Sequence, residues 1–196
     1  DRVLQFTSLS FDPSIEQILT TLLAGATLVI REGELWAADE LHARILKYEI
    51  TVINIPPSYW QEVATVWSAA PSLLRQTTLR LIIIGGDVLH PEALTLWKSG
   101  LLRRIRFLNA YGPTETTITA LTHEASADLA PIEARKRVPI GSPLPGRRAY
   151  VLDRYGNPVA PGIPGILQLG GLGLATGYVN DPALTAEKFR PDAWGG

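Results

Sequence analysis

Apolar positions in residues 1–130 alternate between helical and extended spacing. A stripe at three-and-four spacing follows Asp12-Pro13, a pair typical of a helix start, and Gly25 ends it. The stripe consists of Ile15, Ile18, Leu19, Leu22 and Leu23. The same reasoning predicts helices over residues 39–48, 57–67 and 91–98, and buried strands over 27–30, 51–54, 79–84 and 106–108. Strands separated by helices favour an α/β fold with a layered, mostly parallel sheet and flanking helices.

Residues 131–196 have a different texture, because nine prolines and eleven glycines occur there against six of each in residues 1–130. Short β-like runs at 151–153 and 165–169 predict a hairpin of an antiparallel sheet or barrel. We therefore expect an α/β subdomain over residues 1–120 and a Gly/Pro-rich antiparallel β subdomain over residues 121–196. Residues 128–136 mix charge with alanine and proline and are expected to form an exposed loop.

Composition excludes several classes of protein. The 18 lysines and arginines nearly balance the 19 aspartates and glutamates, so nothing favours nucleic-acid binding. The uncharged run from Gln17 to Ile30 has 14 residues, fewer than the roughly 20 of a membrane span. The absence of cysteine fits a reducing compartment, and we expect the cytoplasm. Because the chain has no methionine and no signal peptide, we interpret it as a piece of a larger protein.

Chemistry is expected at the carboxyl ends of the predicted strands, because ligands collect there in parallel α/β sheets. These ends fall at Asn54, at residues 85–87 and at residues 109–112. The sequence pattern alone therefore predicts candidate sites in these three loops.

Two other signals are weaker. The three histidines, His42, His90 and His123, lie in separate predicted elements without metal spacing, and we expect them at surface or capping positions. The glycines of residues 171–177 do not form a dinucleotide fingerprint. Their last spacing is one residue too long, and we do not expect residues 178–182 to open a helix.

The segment 109–117, Asn-Ala-Tyr-Gly-Pro-Thr-Glu-Thr-Thr, leaves a predicted strand and begins a short helix with Thr114 as its N-cap. A helix start presents free backbone N–H groups, so the segment outlines an anion site, and the ring of Tyr111 could stack on a base. Glu115 has two interpretations. It can stabilise the helix dipole by a few tenths of a kcal/mol, or it can hold a divalent metal between a carboxylate and a phosphate.

Three ordered motifs resemble a known family. The segment 109–117 resembles the fifth core motif of the adenylation domains of nonribosomal peptide synthetases. Residues 11–14 resemble the preceding core motif, and residues 165–178 resemble the following one. The likeness covers nearly the whole chain. It implies an enzyme that joins an amino acid to ATP with release of pyrophosphate and passes the acyl group to the phosphopantetheine thiol of a carrier protein.

The resemblance also implies how ATP and Mg²⁺ are bound. Tyr111 is expected to stack on adenine, Thr114 to contact the α-phosphate and Glu115 to bind Mg²⁺. The nucleotide-binding set is Gly86, Asp87, Asn109, Ala110, Tyr111, Gly112 and Thr114. The family usually has Glu and Arg at positions that Ile166 and Thr176 occupy here, so we do not expect the family's local salt bridges at these two positions, whereas the fold is expected to be the same.

Asp12 and Glu16 lie one helical turn apart, and like charges at this spacing repel each other unless a cation offsets them. Taken alone, Asp12 could simply cap the helix and Glu16 could lie on a solvated face. In the family, the aspartate at this place pairs with the α-ammonium group of an amino acid. Fatty-acyl relatives bind substrates without that amine, so Asp12 disfavours an acyl-CoA synthetase.

The resemblance implies a pocket for the substrate side chain. Besides Asp12, its expected residues are Pro13, Glu16, Asn54, Ile83, Gly85, Ala110, Ile118 and Thr119. A buried carboxylate at Glu16, with small Gly85 and Ala110 leaving depth, suits a long side chain that ends in a cation or a hydrogen-bond donor. We therefore expect a basic or long polar substrate such as arginine, ornithine or lysine.

Several parts of the family's catalytic machinery are not found in these 196 residues. A phosphate loop with its lysine, a ribose-binding aspartate and a catalytic lysine in a separate domain would have to come from elsewhere. The resemblance therefore implies that these residues alone do not complete the reaction. A non-catalytic binding module that keeps the fold is the alternative.

Overall fold

The computed structural model describes residues 1–98, 101–125 and 137–195, so the loop predicted at 128–136 lies outside the described residues. The chain forms two compact units that alternate along the sequence. The first comprises Asp1–Ala110 and His123–Gly141, and the second comprises Tyr111–Thr122 and Ser142–Gly196. The domain boundary at residue 120 stays a prediction.

The first unit is built on parallel strands with helices between them, as the sequence predicted. The strands are β1 (Arg2–Gln5), β2 (Thr27–Ile30), β3 (Val52–Ile55), β4 (Leu81–Gly85) and β5 (Arg106–Tyr111). The helices are α1 (Pro13–Leu23), α2 (Ala38–Tyr48), α3 (Pro57–Ala69) and α4 (Pro91–Lys98). All pairs in the order β2-β1-β3-β4-β5 are parallel. The strand β1 was not predicted.

Aromatic rings fill the core of this unit. Trp60, Trp67 and Phe107 are fully buried. The ring centroid of Trp60 lies 6.3 Å from that of Trp67 and 5.3 Å from that of Phe107, both in edge contacts. His42 of α2 is also buried and meets the ring of Trp67 edge-on. A surface or capping position for His42 was therefore the wrong prediction, because the imidazole packs as an aromatic ring.

Helix α1 turns its polar side chains inward. Ser14, Gln17 and Thr21 are buried, whereas Leu23 of the apolar stripe is 85% exposed. The amide of Gln17 explains this orientation, since its Oε1 accepts from the backbone N–H groups of Phe6 and Thr7 at 2.9 and 3.1 Å. Hydrogen bonds rather than apolar burial therefore fix the rotation of α1.

The rest of the described chain is rich in β-structure. Strand β6 (Leu121–Glu124) pairs antiparallel with β7 (Ser142–Pro143), and these two strands complete a seven-stranded sheet of order β2-β1-β3-β4-β5-β6-β7. Strand β8 (Arg147–Leu152) pairs antiparallel with β9 (Ile166–Gly171), which confirms the predicted hairpin.

A short helix follows the hairpin and corrects one expectation. Helix α5 (Pro182–Lys188) begins after Asp181, whose carboxylate accepts from the N–H of Leu184 at 2.9 Å. Residues 178–182 therefore do lead into a helix, because Asp181 and Pro182 supply an N-cap and a first-turn proline. None of the helices within the described ranges combines the length and apolarity that a bilayer crossing needs.

Candidate functional site

The carboxyl ends of β3, β4 and β5 lie side by side in the first unit. Asn54 pairs in register with Ile83, Ile84 with Asn109, and Gly85 with Ala110. The expected gathering of candidate residues at one sheet edge is therefore observed for these strands.

Backbones approach closely at this edge. A Cβ atom on Gly85 would lie 3.0 Å from the carbonyl oxygen of Ala110, so a larger residue would need the neighbouring strand to move. Asn109 is buried, and its Nδ2 donates to the carbonyl of Pro139 at 2.8 Å. Gly86 takes φ of +88°, and it is exposed together with Asp87. This edge of the sheet therefore has closely packed backbone at Gly85 and Ala110 and an exposed turn at Gly86 and Asp87.

The start of α1 carries the predicted amine-binding carboxylate. Asp12 occupies the N-cap position and Pro13 the first helical position, but the Asp12 side chain makes no capping hydrogen bond. Glu16 lies one turn further and is partly exposed rather than buried. The Nε2 of Gln17 donates to the carbonyl of Asn54 at 3.0 Å, which ties this helix to the end of β3.

The loop after β5 contains only a single 3₁₀ turn, Thr114–Thr116. Its N-cap is Pro113, so the prediction of Thr114 as N-cap was wrong. Pro113 has extended dihedral angles, and its carbonyl accepts from both the N–H and the Oγ1 of Thr116 at 2.9 Å. A turn of three residues aligns few peptide dipoles, so Thr114 offers a ligand an exposed hydroxyl rather than a helix end.

Unusual backbone angles shape the rest of this loop. Thr117 and Ile118 have φ of 54° and 70°, a region that costs β-branched residues energy. The N–H of Ala120 closes the loop on the carbonyl of Tyr111 at 2.8 Å. A Cβ on Gly112 would lie 1.8 Å from the carbonyl oxygen of Ile118, so the crossing requires glycine. Thr119 and Ile118 are both half-buried here.

Tyr111 and Glu115 line a cavity of about 450 Å³ in the second unit, together with Tyr178 and Lys188. The Tyr178 hydroxyl donates a hydrogen bond to Oε1 of Glu115. This bond lowers the pKa of Glu115, with smaller contributions from the backbone N–H of Glu115 and from the charge of Lys188. The same bond raises the pKa of Tyr178. The lowered pKa favours the ionised form of Glu115 at the cavity wall.

Tyr178 was not predicted as a site residue. It lies 63 positions from Glu115 in the sequence, so no local spacing connects the two. The signal that could have found it was its place directly after the glycine-rich segment 170–177, within the motif at 165–178.

A magnesium ion fits the chemistry of Glu115. Among the described residues, no group of three or more His, Cys, Asp or Glu side chains could hold a metal on its own. Mg²⁺ in phosphate-binding sites typically takes one or two carboxylates and completes its shell with water and substrate phosphates. The single carboxylate of Glu115 therefore suits a cation that binds together with a nucleotide.

The first unit is a parallel α/β unit with candidate residues at the carboxyl ends of its strands, and the second unit has a carboxylate and a tyrosine that line one cavity. Both features fit the broad class of nucleotide-binding α/β proteins. The sequence comparison narrows this class. The family model described as AMP-binding enzyme matches residues 1–179, and the chain belongs to that family.

The similar proteins include nonribosomal peptide synthetases. One chain of the linear gramicidin synthase of Brevibacillus parabrevis is 41% identical over 195 residues, which are 99% of this chain and 2% of that protein. The N-terminal subdomain of Klebsiella oxytoca NpsA, in complex with 3-hydroxybenzoyl-AMSN, has a TM-score of 0.80 and 26% identity, with 97% of this chain and 46% of that chain covered. Holo-PA1221, which contains adenylation and PCP domains, has a TM-score of 0.82 and 28% identity, with coverages of 95% and 31%.

These findings confirm the resemblance to adenylation domains of nonribosomal peptide synthetases, and they confirm the adenylation fold. The chain spans 2% of the length of the gramicidin synthase protein and less than half of each of the two solved chains.

Proposed function

We propose that the chain is the substrate-selecting core of an amino-acid-activating adenylation domain. In the adenylation reaction, a carboxylate oxygen of the amino acid attacks the α-phosphorus of ATP. The bond between the α-phosphorus and the bridging oxygen breaks, and pyrophosphate leaves. The thiol sulfur of a carrier protein's phosphopantetheine then attacks the acyl carbon of the aminoacyl-AMP and loses its proton. A thioester forms, the bond from the acyl carbon to the phosphate oxygen breaks, and AMP leaves. The PCP domain of holo-PA1221 supports such a partner.

One observation carries the nucleotide part of this proposal: Tyr111 and the ionised Glu115 line the same cavity. The aromatic ring can stack on adenine, the exposed hydroxyl of Thr114 can donate to the α-phosphate, and Glu115 would hold Mg²⁺. When bound, Mg²⁺ would neutralise negative charge on the phosphates. Gly86, Asp87 and Asn109 are proposed as adenine contacts on the resemblance alone.

The substrate part rests on the start of α1. Asp12 lacks a capping hydrogen bond, so its carboxylate can pair with the α-ammonium group of an amino acid. Glu16 is proposed to pair with a cationic end of the substrate side chain. Its partial exposure leaves room beside the carboxylate for a flexible ammonium or guanidinium group. The remaining pocket residues are proposed to line the same pocket on the basis of the resemblance alone.

Pyrophosphate exchange in the full-length protein that carries this chain tests the substrate assignment. Glu16→Gln keeps the side-chain shape and removes the charge, so exchange with arginine, ornithine or lysine should fall about 10- to 100-fold, the range of a lost charged hydrogen bond. Exchange with neutral amino acids should change little. Glu62→Gln, on the exposed face of α3, is the matched control. Unchanged efficiency for a basic amino acid in Glu16→Gln would refute the assignment.

We further propose that these 196 residues alone do not catalyse adenylation, since the resemblance places other phosphate-binding and catalytic groups elsewhere. Calorimetric titration of the chain with ATP and Mg²⁺, and with amino acids, separates this proposal from a non-catalytic binding module. Binding of an amino acid that is lost in Asp12→Asn supports the enzyme core. Tight binding of a protein partner without affinity for either small molecule supports the module. Activation of fatty acids in the full-length protein would indicate an acyl-CoA synthetase.

A further inference from the structure

The hydroxyl of Tyr178 and the carboxylate of Glu115 form a pair in the cavity wall. We propose that Tyr178 is a positioning residue for Glu115. Its hydroxyl holds Oε1 of the carboxylate, which leaves Oε2 to bind a divalent cation that arrives with nucleotide phosphates. This inference rests on the proposed function, because it assumes that Glu115 is the metal ligand.

The first support is the way in which Tyr178 itself is held. Its ring packs edge-on against Phe189 with 5.6 Å between the centroids. Its backbone N–H donates to Oγ1 of Thr185 on α5 at 2.8 Å. Gly177 takes φ of +147°, and a Cβ there would lie 2.4 Å from Cγ2 of Thr185. Thr185 of α5 thus fixes the backbone of Tyr178, and Phe189 directly after α5 fixes its ring, so the hydroxyl is a donor of defined position.

The second support is that the two segments are joined at other points. The N–H of Ala175 donates to the backbone carbonyl of Glu115 at 2.8 Å. The hydroxyl of Thr117 donates to the carbonyl of Gly173 at 2.6 Å. Three hydrogen bonds therefore connect the loop after β9 with the turn that carries Glu115. Such a connection restricts the backbone of Glu115, and the bond from Tyr178 restricts its side chain.

The third support comes from what Mg²⁺ requires. The ion demands near-ideal octahedral geometry. A carboxylate that offers one oxygen in a fixed direction meets this demand better than a freely rotating one. Lys188 also lines the cavity, but its ammonium group is paired with Glu187 at 2.8 Å. The Tyr178 hydroxyl is a neutral donor, so it can orient the carboxylate without competing with a cation for its charge.

Titration with Mn²⁺ followed by electron paramagnetic resonance tests the inference in the full-length protein, at a fixed saturating concentration of a non-hydrolysable ATP analogue. Tyr178→Phe removes only the hydroxyl and should weaken Mn²⁺ binding about tenfold, at the lower end of the effect of outer-shell partners. In steady-state assays it should raise the Mg²⁺ concentration for half-maximal rate by a similar factor. Tyr155→Phe makes the same change at an exposed tyrosine of the second unit and should alter neither value.

The Glu115→Gln background separates the possible failures. There the Tyr178→Phe substitution should have no further effect on Mn²⁺ binding, because its effect passes through the carboxylate. If Glu115→Gln alone leaves Mn²⁺ binding unchanged, Glu115 is no metal ligand and that part of the proposed function fails. If Glu115→Gln abolishes binding while Tyr178→Phe matches the wild type, only the positioning role fails. If Tyr178→Phe lowers the Mn²⁺ affinity by the same factor in the wild-type protein and in the Glu115→Gln protein, its role is merely structural. That result would also overturn the inference.

Discussion

Replacing Gln17 by leucine should destabilise the protein far more than its place in an amphipathic helix suggests. Gln17 is 3% exposed and makes four hydrogen bonds. Its Oε1 accepts from the N–H groups of Phe6 and Thr7, and its Nε2 donates to Oγ1 of Thr7 and to the carbonyl of Asn54, with donor–acceptor distances of 2.9 to 3.1 Å. Leucine has a similar size but can make none of these bonds.

The cost follows from the groups left behind. The buried N–H of Phe6 would lose its acceptor, which costs about 1–3 kcal/mol, and each of the other three bonds contributes about 0.5–1.5 kcal/mol. The apolar surface of leucine offsets about 1–2 kcal/mol of this loss. The middle of these ranges gives a loss of about 3 to 4 kcal/mol in the free energy of unfolding for Gln17→Leu, a large part of the total for a domain.

Urea unfolding of the chain, followed by tryptophan fluorescence, measures this change, because Trp60 and Trp67 are fully buried and report on the core. Gln61→Leu on the exposed face of α3 is the control for the same substitution without the bonds. A loss below about 1 kcal/mol for Gln17→Leu, or equal losses for both variants, would refute the reasoning.

Two further predictions concern the loop that carries Glu115. In Tyr178→Phe, an NMR titration should show the pKa of Glu115 rising toward its ordinary value of 4.5, because the largest cause of the lowering is removed. A lowered pKa stabilises the fold above pH 4.5, and this stability is lost as the pH falls through the folded-state pKa, so the variant should lose less stability on acidification. In Gly112→Ala, the new Cβ would lie 1.8 Å from a carbonyl oxygen, so thermal unfolding should shift strongly downward. Gly156→Ala, with φ of +87° but open space around it, should cost only about 1 kcal/mol.

The element pattern of the first unit was predictable, because helices and strands there carry strong local signals. The bounds of α4 and β2 match the expectation, and β3, β4 and β5 pair in parallel as expected. Strand β1 escaped prediction, since its four residues at the start of the chain show no alternation to distinguish them.

The details of the site were less predictable. Pro113 is the N-cap of the 3₁₀ turn because its backbone is extended. The sequence favoured Thr114 instead, because threonine is a good capping residue. Helix α5 was missed although Asp181-Pro182 repeats the Asp12-Pro13 signal of α1. The bond from Tyr178 to Glu115 joins residues 63 positions apart, and such a contact follows from the fold rather than from any local pattern.

The orientation of α1 determines where the carboxylates at its start lie relative to the end of β3. Apolar burial has no direction, so a helix held by an apolar stripe can rotate by small angles at little cost. Here four of the five residues of the stripe are exposed, and Gln17 fixes the helix through hydrogen bonds to the backbone of Phe6, Thr7 and Asn54. Because hydrogen bonds weaken steeply when their angles change, this arrangement sets the rotation of α1 against the end of β3. The positions of Asp12 and Glu16 relative to that strand end therefore depend on a buried amide, which an apolar residue of equal size cannot replace.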